Sequence, residues 1–261
     1  MAEESGNTEV QVEKQAGVAT VTLARPSLST TTKTALRDAL ADVSADAEIR
    51  AVVLTGTGKA FCVGQDLAEH AAALEADPGT AFTTIDEHYN PIVSALATMP
   101  KPVVAAVNGA CVGAGLGFAL ACDVRVAAES ARFGTAFTGI GLAPDSGLSV
   151  TLARAVGVAR ASELILLAEP FTAADALAWG VVGRLAPADE LQAAAHTLAQ
   201  RLAAGPTQAY AEAKAALAAA FPLDDALKLE GGAQARLGRT ADHQGAVTAF
   251  LAKKKPEFTG R

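Results

Sequence analysis

Short apolar runs that end at turn residues alternate with longer mixed segments through most of the chain. Runs of four to eight apolar residues between turn signals predict buried strands. Strands Val10–Val12 and Val18–Leu23 are expected to pair across the turn Gln15-Ala16-Gly17. Further strands are predicted over 51–54, 60–63, 103–107, 124–128 and 181–185. Helices are predicted over 30–44, from about 66, over 81–99, after Gly117, and over 148–155, 162–168, 187–203, 207–219, 224–237 and 242–253.

A strand, a turn and a helix recur at 51–75, at 103–122 and again from 124 onward. This repetition predicts an α/β fold with stacked turns. The last predicted elements are all helical, so we expect a core over residues 1–200 and a C-terminal helical oligomerisation lobe over 201–261. Residues 1–8 are polar and are expected to be disordered.

The stretch PKPVVAAVNGACVGAGLG, residues 100–117, predicts a strand, a tight turn, a glycine-rich bend and a buried helix. A helix N-terminus offers unpaired N–H groups, and small residues around Ala114 let a ligand approach them. The bend could therefore hold a developing negative charge, or its small residues could only permit close helix-to-sheet packing. A dinucleotide site is excluded, because the glycine spacing is not GxGxxG and residue Phe137 stands where an acid is required.

A second bend, GKAFCVGQDL, repeats this pattern at residues 58–67. The backbone N–H groups of Gln65 and Ala114 could converge on one carbonyl oxygen and form an oxyanion hole. The plainer alternative is that Asp66 only caps the helix that follows.

Asp145 lies in a third glycine-rich segment, ARFGTAFTGIGLAPDSG, among apolar residues. It is interpreted either as a turn or cap residue or as a carboxylate in a dry pocket that moves protons. The four histidines show no metal-binding spacing, so no metal site is predicted. His88 lies in a helix that is expected to cover the pocket.

The net charge of −7 and the pI of about 5.1 argue against a nucleic-acid-binding surface. The cysteines are odd in number and lie in apolar runs, which is typical of reduced core residues: Cys62, Cys111 and Cys122. The N-terminus is not a signal peptide, and no apolar run is long enough to span a membrane. We therefore expect a soluble cytoplasmic protein without a membrane partner.

The segments AFCVGQDL and KPVVAAVNGACVGAGLGFALACD together resemble the enoyl-CoA hydratase/isomerase (crotonase) superfamily, and the likeness covers nearly the whole chain. The resemblance implies a crotonase-like repeated ββα spiral with a C-terminal helical lobe, assembled as a homotrimer or homohexamer. It implies an acyl-CoA substrate whose thioester oxygen is held by the N–H groups of Gln65 and Ala114. No cofactor is implied, since coenzyme A is part of the substrate. CoA contacts are expected from Arg25, Val63 and Lys253, the last in the final helix, and an acyl pocket from Phe137 and Leu142.

Family hydratases use two glutamates, whose positions here hold Gly117 and Phe137. Asp145 remains, as in the 2-(1,2-epoxy-1,2-dihydrophenyl)acetyl-CoA isomerase branch, which HYNP (88–91) and the C-terminal segment also resemble. This pattern indicates an isomerase that shifts a double bond through proton shuttling by Asp145, with a ring-bearing (phenylacetyl-type) acyl-CoA as a candidate substrate. Three alternatives stay open: an enoyl-CoA hydratase, a nucleophilic Asp145 as in aryl-CoA dehalogenases, and a non-catalytic acyl-CoA-binding subunit.

Overall fold

The computed structural model describes residues 9–77, 79–219 and 231–261. Two sheets form the framework of this part of the chain. The larger has six strands in the order β1-β2-β3-β5-β7-β10, and the smaller has four in the order β4-β6-β8-β9. The strands are β1 Val10–Gln15, β2 Val18–Leu23, β3 Ala51–Gly56, β4 Ala60–Cys62, β5 Val103–Val107, β6 Ala110–Val112, β7 Val124–Ala128, β8 Arg132–Gly134, β9 Phe171–Thr172 and β10 Arg184–Ala186.

Successive repeats each place one strand in each sheet. In the larger sheet β3, β5 and β7 lie side by side in parallel, and in the smaller sheet β4, β6 and β8 do the same. Helices follow the second strand of the repeats, since parallel neighbours need a crossover connection. The predicted α/β fold with a repeated ββα unit is confirmed.

The helices are α1 Thr30–Ala45, α2 Leu67–Ala76, α3 Asn90–Thr98, α4 Ala114–Ala121, α5 Leu148–Val156, α6 Val158–Leu167, α7 Ala173–Ala178, α8 Leu191–Ala203, α9 Thr207–Ala219, helical residues 231–237 (α10) and α11 Ala241–Leu251. A π-helical turn, Ile85–Tyr89, precedes α3, and a 3₁₀ turn, Phe137–Ile140, lies before α5. The predicted hairpin is confirmed, because Ala16 and Gly17 both have positive φ, at 50° and 76°.

Several predicted boundaries were wrong. The helix predicted over 81–99 is regular only in α3, and the helix predicted from Pro187 begins at Leu191 after a turn in which Glu190 N–H donates to the Pro187 carbonyl. The last strand is β10 rather than 181–185, and α6 begins four residues before the predicted Ser162. Strands β6, β8 and β9 and helix α7 were not predicted.

Helix α4 lies at the centre of the core, and all eight of its residues are buried. The helix approaches strand β4 so closely that a Cβ on Gly115 would lie 2.2 Å from the Cys62 carbonyl oxygen. Glycine is therefore required there for the packing of α4 on the smaller sheet. This contact fixes the start of α4 beside the end of β4.

The C-terminal helices contact the core through buried and half-buried basic side chains. Lys214 Nζ of α9 lies 2.8 Å from both Asp123 Oδ2 and the Leu96 carbonyl oxygen, and Arg50 donates to the Phe258 carbonyl oxygen at 3.0 Å. The division at residue 200 stays a prediction. Residues 1–8 and part of the predicted helix 224–237 lie outside the described residues. None of the helices that the structure describes is long and apolar enough to cross a membrane.

Candidate active site

The two predicted glycine bends meet in the structure. A Cβ built on Gly64, which has φ 85°, would lie 3.7 Å from the Ala114 nitrogen and 3.6 Å from the Val112 carbonyl oxygen. Gln65 therefore follows directly after a residue that packs against the first residue of α4. The structure brings together the two backbone segments that the sequence singled out.

The N-terminus of α4 is not capped by a side chain. Its cap residue Gly113 has φ 58° and ψ −123°, a conformation that residues with a side chain rarely adopt. The first N–H groups of a helix have no partner within the helix and carry partial positive charge. Ala114 is the first residue of α4 and is 5% exposed, so its N–H lies in a nearly dry environment.

Asp66 caps α2, as one of the two sequence interpretations held. Its Oδ1 accepts hydrogen bonds from the N–H groups of Ala68 at 3.0 Å and Glu69 at 3.1 Å. The bond from the Glu69 N–H is the main cause that lowers the Asp66 pKa. The Asp66 carboxylate is thus occupied by the N-terminus of α2, and its hydrogen bonds hold the turn that carries Gln65.

Asp145 does not cap the helix that follows it. The cap residue of α5 is Gly147, and no side chain hydrogen-bonds that helix end. Instead Asp145 Oδ1 accepts a hydrogen bond from Ser146 Oγ at 2.7 Å. Burial raises the pKa of the half-buried Asp145 carboxyl, while the Ser146 hydroxyl acts in the opposite direction. Asp145 also begins a tight turn, because its carbonyl oxygen accepts a hydrogen bond from the Leu148 N–H at 3.0 Å. Its carboxyl group is held away from the helix N–H groups, in surroundings that favour the protonated form.

The segment that carries Asp145 rests against α4 at Gly117. A Cβ on Gly117 would lie 2.7 Å from both the Cβ and the carbonyl oxygen of Ser146. Ser146 is 1% exposed and has φ 52°, so its backbone is held in a strained conformation beside the site. The backbone of Ser146 thus occupies the space into which a side chain at position 117 would project.

Phe137 and Leu142, the predicted acyl-pocket residues, lie next to the start of α4. A Cβ on Gly113 would be 3.9 Å from two ring atoms of Phe137, which is 8% exposed. The Leu142 N–H donates to the Phe137 carbonyl oxygen at 2.9 Å, and its half-buried side chain packs on the core. The structure therefore provides an apolar wall beside the Ala114 N–H.

The predicted CoA-contact residues fall in two places. Arg25 and Val63 are exposed neighbours, because the Val63 N–H donates to the Pro26 carbonyl oxygen at 2.8 Å. The Arg25 guanidinium lies 3.2 Å from a Glu9 carboxylate oxygen. The sequence predicted that Lys253 lies in the last helix, and this was wrong. Lys253 lies exposed beyond the end of α11, with φ 54°.

His88, expected over the pocket, is a buried side chain that faces α1. Its two ring nitrogens lie 3.2 Å from Thr34 Oγ1 and 3.2 Å from Thr84 Oγ1. Burial is the main cause that lowers its pKa, with the charges of Lys33 and Arg37 acting in the same direction. This environment favours a neutral histidine with a structural role.

Sequence reasoning missed Tyr89, the neighbour of His88. Tyr89 is 1% exposed, and within the described part of the chain its hydroxyl is the buried side-chain oxygen that has no hydrogen-bond partner. Burial raises its pKa, and the charge of Asp145 is the next cause. The signal in the sequence is a phenol in an otherwise apolar helix face, Tyr89, Ile92 and Leu96.

Over the residues that the structure describes, no three His, Cys, Asp or Glu side chains cluster in a way that could hold a metal ion. The three cysteines are buried free thiols.

An α/β spiral with an uncapped helix N-terminus beside a second bend and a half-buried carboxylate suits enzymes that stabilise negative charge on a carbonyl oxygen. The comparisons agree with this class. The family model of enoyl-CoA hydratase/isomerase matches residues 13–261, and the chain belongs to that family.

Named relatives span both reactions of the family. The chain is 42% identical over 256 residues to a Rhodobacter capsulatus protein named "Probable enoyl-CoA hydratase", covering 97% of this chain and 98% of the relative. It is 40% identical over 251 residues to the 1,2-epoxyphenylacetyl-CoA isomerase of Escherichia coli K12, covering 94% and 96%. A crystal structure from Mycobacterium abscessus, described as an enoyl-CoA hydratase/isomerase, superposes with a TM-score of 0.92 at 50% identity, covering 97% of this chain and all of that one.

Proposed function

We propose that the protein is an enoyl-CoA isomerase that moves a double bond by proton transfer through Asp145. The observation that carries this proposal is the pair of contacts on α4. Gly64 approaches the Ala114 nitrogen, and one turn along α4 Gly117 touches Ser146. In our proposal these contacts bring the Asp145 carboxylate near the N–H groups of Gln65 and Ala114, which face the thioester oxygen.

In this proposal the thioester oxygen of an acyl-CoA accepts hydrogen bonds from the N–H groups of Gln65 and Ala114. Those donors stabilise the enolate that forms when a proton leaves the α or γ carbon, and one such donor is typically worth roughly 10²–10³ in rate. Asp145 takes the proton on Oδ2, since Oδ1 accepts from Ser146, and returns it to the other carbon. The electron pair of the broken C–H bond becomes the shifted double bond when the enolate collapses.

Isomerisation fits this site better than hydration because the chain offers one acid where hydration uses two. At the two family glutamate positions, Gly117 has no side chain and Phe137 forms part of an apolar wall. A proton shuttle needs one carboxylate, whereas water addition needs a second group to orient the water. The likeness to a 1,2-epoxyphenylacetyl-CoA isomerase supports the same choice and a ring-bearing acyl group against Phe137 and Leu142.

Further parts of the proposal rest on family likeness. Arg25, Val63 and Lys253 contact the CoA moiety, and no cofactor takes part in the reaction. The active form is a homotrimer or homohexamer in the cytoplasm, acting in phenylacetate breakdown. Light scattering on the purified protein checks the assembly, since a monomeric mass for a fully active sample contradicts it.

The deciding experiment compares the wild type with Asp145→Asn in deuterated water. Substrates are 3-enoyl-CoA, 2-enoyl-CoA and the ring epoxide of phenylacetyl-CoA, and products are followed by mass spectrometry. We expect the wild type to incorporate deuterium with double-bond movement, and Asp145→Asn to lose about 10²–10⁴-fold in kcat. Asp189→Asn is the matched control, since Asp189 is an exposed aspartate outside the site.

Each remaining outcome has a defined meaning. Full activity of Asp145→Asn with normal folding contradicts the proposal. A mass gain of one water on 2-enoyl-CoA identifies a hydratase instead, as the name of the Rhodobacter relative suggests. A covalent acyl-enzyme trapped on Asp145 identifies nucleophilic use of the carboxylate, and CoA-ester binding without any turnover identifies a non-catalytic subunit.

A further inference from the structure

Tyr89 lies between the elements that form the site. It ends the π-helical turn before α3, and its ring centroid is 6.2 Å from that of Phe118 on α4. Four residues further on, Val93 lies on the same face of the helix. A Cβ on Gly147 would be 3.5 Å from Val93 Cγ1. One face of α3 therefore contacts both α4 and the segment that carries Asp145.

The environment of the Tyr89 ring does not satisfy its hydroxyl. Lys33 Nζ lies over the ring at 5.3 Å from the centroid and donates to Thr84 Oγ1 at 2.6 Å. This places the buried ammonium against the π-face of Tyr89 rather than on its oxygen. Within the described residues the hydroxyl remains without a partner. A buried polar group in that state costs free energy unless a ligand or an ordered water satisfies it.

We propose that the Tyr89 hydroxyl is a specificity determinant that hydrogen-bonds an oxygen atom of the acyl group beyond the thioester. The inference rests on the proposed isomerase function, because it assumes that the acyl chain lies between α4 and Asp145. The substrate class it names is an acyl-CoA with an ether, epoxide or carbonyl oxygen near the carbon that Asp145 serves. A purely hydrocarbon acyl chain would leave the phenol unpaired.

The protonation state of the site supports a donating phenol. Burial and the charge of Asp145 both raise the pKa of Tyr89, so the hydroxyl keeps its proton at neutral pH. Asp145 Oδ1 already accepts from Ser146, and Oδ2 is the oxygen that we assign to proton transfer. Tyr89 thus offers one hydrogen-bond donor to the substrate, and no proton leaves it during the reaction.

Selectivity follows from this arrangement. A site with a buried hydrogen-bonding group discriminates strongly against analogues that lack the matching atom, because the protein group is then left unpaired. Phe118 lies beside the Tyr89 ring, and Phe137 lies at the start of α4. In the proposal, Phe137 borders the remainder of a ring-bearing acyl group.

Tyr89→Phe tests the proposal, because it removes one oxygen and keeps the ring. The matched control is Tyr210→Phe, since Tyr210 is the other of the two tyrosines in the chain and lies on α9. We expect Tyr89→Phe to lower kcat/KM for the ring epoxide of phenylacetyl-CoA about 10- to 100-fold. Turnover of 3-enoyl-CoA should change by less than about threefold, and Tm should stay equal or rise because an unpaired hydroxyl is removed.

Three results would overturn the assignment. An equal loss on both substrates would mean that Tyr89 serves the common chemistry, and an unchanged rate on the epoxide would mean that its hydroxyl meets no substrate oxygen. A marked fall in Tm would reveal a structural hydrogen bond. Asp145→Asn distinguishes failure of the Tyr89 assignment from failure of the proposed function. If the isomerase proposal holds, Asp145→Asn loses turnover of both substrates, whatever Tyr89→Phe does.

Discussion

Helices α2 and α4 both begin after a strand and a bend, but their N-termini differ in capping and in burial. At α2 the carboxylate of Asp66 occupies the helix N-terminus, and none of the residues of α2 is buried. At α4 the cap residue is Gly113, no side chain bonds the helix end, and all eight residues are buried. The first helix end is capped by a carboxylate of the protein, whereas the second has no side-chain cap and lies in the core.

The two aspartates near these glycine-rich bends, Asp66 and Asp145, differ in the direction of their pKa shifts. Backbone N–H groups lower the pKa of Asp66, while burial raises the pKa of Asp145. An aspartate at a helix end serves the fold, and an aspartate held away from helix donors is available for proton transfer. The comparison shows that the local contacts of a carboxylate, rather than its place in a repeated motif, decide the direction of its pKa shift.

The largest effect is expected where α4 touches β4. In Gly115→Ala the added methyl would collide with the Cys62 carbonyl oxygen at 2.2 Å, so α4 must move away from the bend. Overpacking of this kind typically costs about 1–3 kcal/mol of unfolding free energy, and more where backbone is hit. We also expect activity to fall because the Ala114 N–H is displaced. Chemical denaturation and steady-state kinetics measure both effects.

Gly245→Ala is the matched control for that substitution. Gly245 lies in α11, and a Cβ there meets nothing within 4 Å. The same change should therefore stabilise slightly, by up to about 1 kcal/mol, through helix propensity. Equal stability of the two variants would show that the close approach of α4 to β4 is not essential.

The next prediction tests whether the filled end of α2 supports Gln65. Asp66→Ala removes the acceptor for the Ala68 and Glu69 N–H groups, so Tm should fall by roughly 2–4 °C. Because the Gln65 turn loosens, kcat should also fall. Ser29→Ala removes the corresponding cap of α1 and should lower Tm similarly with unchanged kcat. A Tm loss without any kinetic loss for Asp66→Ala would separate the α2 cap from catalysis.

A smaller effect concerns stability against pH. The Asp145 pKa is raised in the folded state, so the folded protein holds this proton more tightly than the unfolded chain. Ionised Asp145 therefore destabilises the fold at neutral pH, by about 1.4 kcal/mol for each unit of the shift. Asp145→Asn should be more stable than the wild type at pH 7. The difference should shrink as the pH falls and vanish below about pH 3.9, the ordinary aspartate value.

Thermal unfolding across this pH range checks the sign. A wild type that is more stable than Asp145→Asn at neutral pH would mean that ionised Asp145 makes a favourable contact, as ionised Asp66 does with the Ala68 and Glu69 N–H groups.

The smallest effect is expected from Ser146→Ala. Its hydroxyl bond to Oδ1 holds the Asp145 pKa down, so removing it should raise that pKa further. The acid limb of the pH profile of kcat/KM should therefore move to higher pH, because the ionised carboxylate loses a hydrogen-bond donor. Ser149→Ala, at an exposed position of α5, should leave the profile unchanged. A downward shift would contradict the assigned role of the Ser146 hydroxyl.

Much of the fold was predictable because long buried strands and glycine stops are local signals. Residues 51–54 of β3 and the whole of β5 are continuous apolar runs, and α9 has the predicted bounds, Thr207–Ala219. The smaller sheet was largely missed because β6 and β8 have three residues each, too few to show a period. Tyr89 was missed because the satisfaction of a buried hydroxyl depends on tertiary neighbours that a local pattern does not contain.

The family likeness predicted that the bends at Gln65 and Ala114 meet. It did not predict that a side chain caps α2 and that none caps α4. Asp66 and Asp145 both precede helices in the sequence, so their separate roles depend on which backbone N–H groups reach each carboxylate. That information appears only when the segment at Gly117 and Ser146 is in place.

The contact between Gly117 and Ser146 also bears on how this lineage could change its chemistry. A glutamate at position 117, as family hydratases have, would collide with the Ser146 backbone unless residues 145–147 first adopted another path. A glutamate at position 117 therefore requires a second change that moves residues 145–147, and that move would displace Asp145 from the position that we propose for it. The packing thus couples the two positions, because a side chain at position 117 and the present path of residues 145–147 exclude each other.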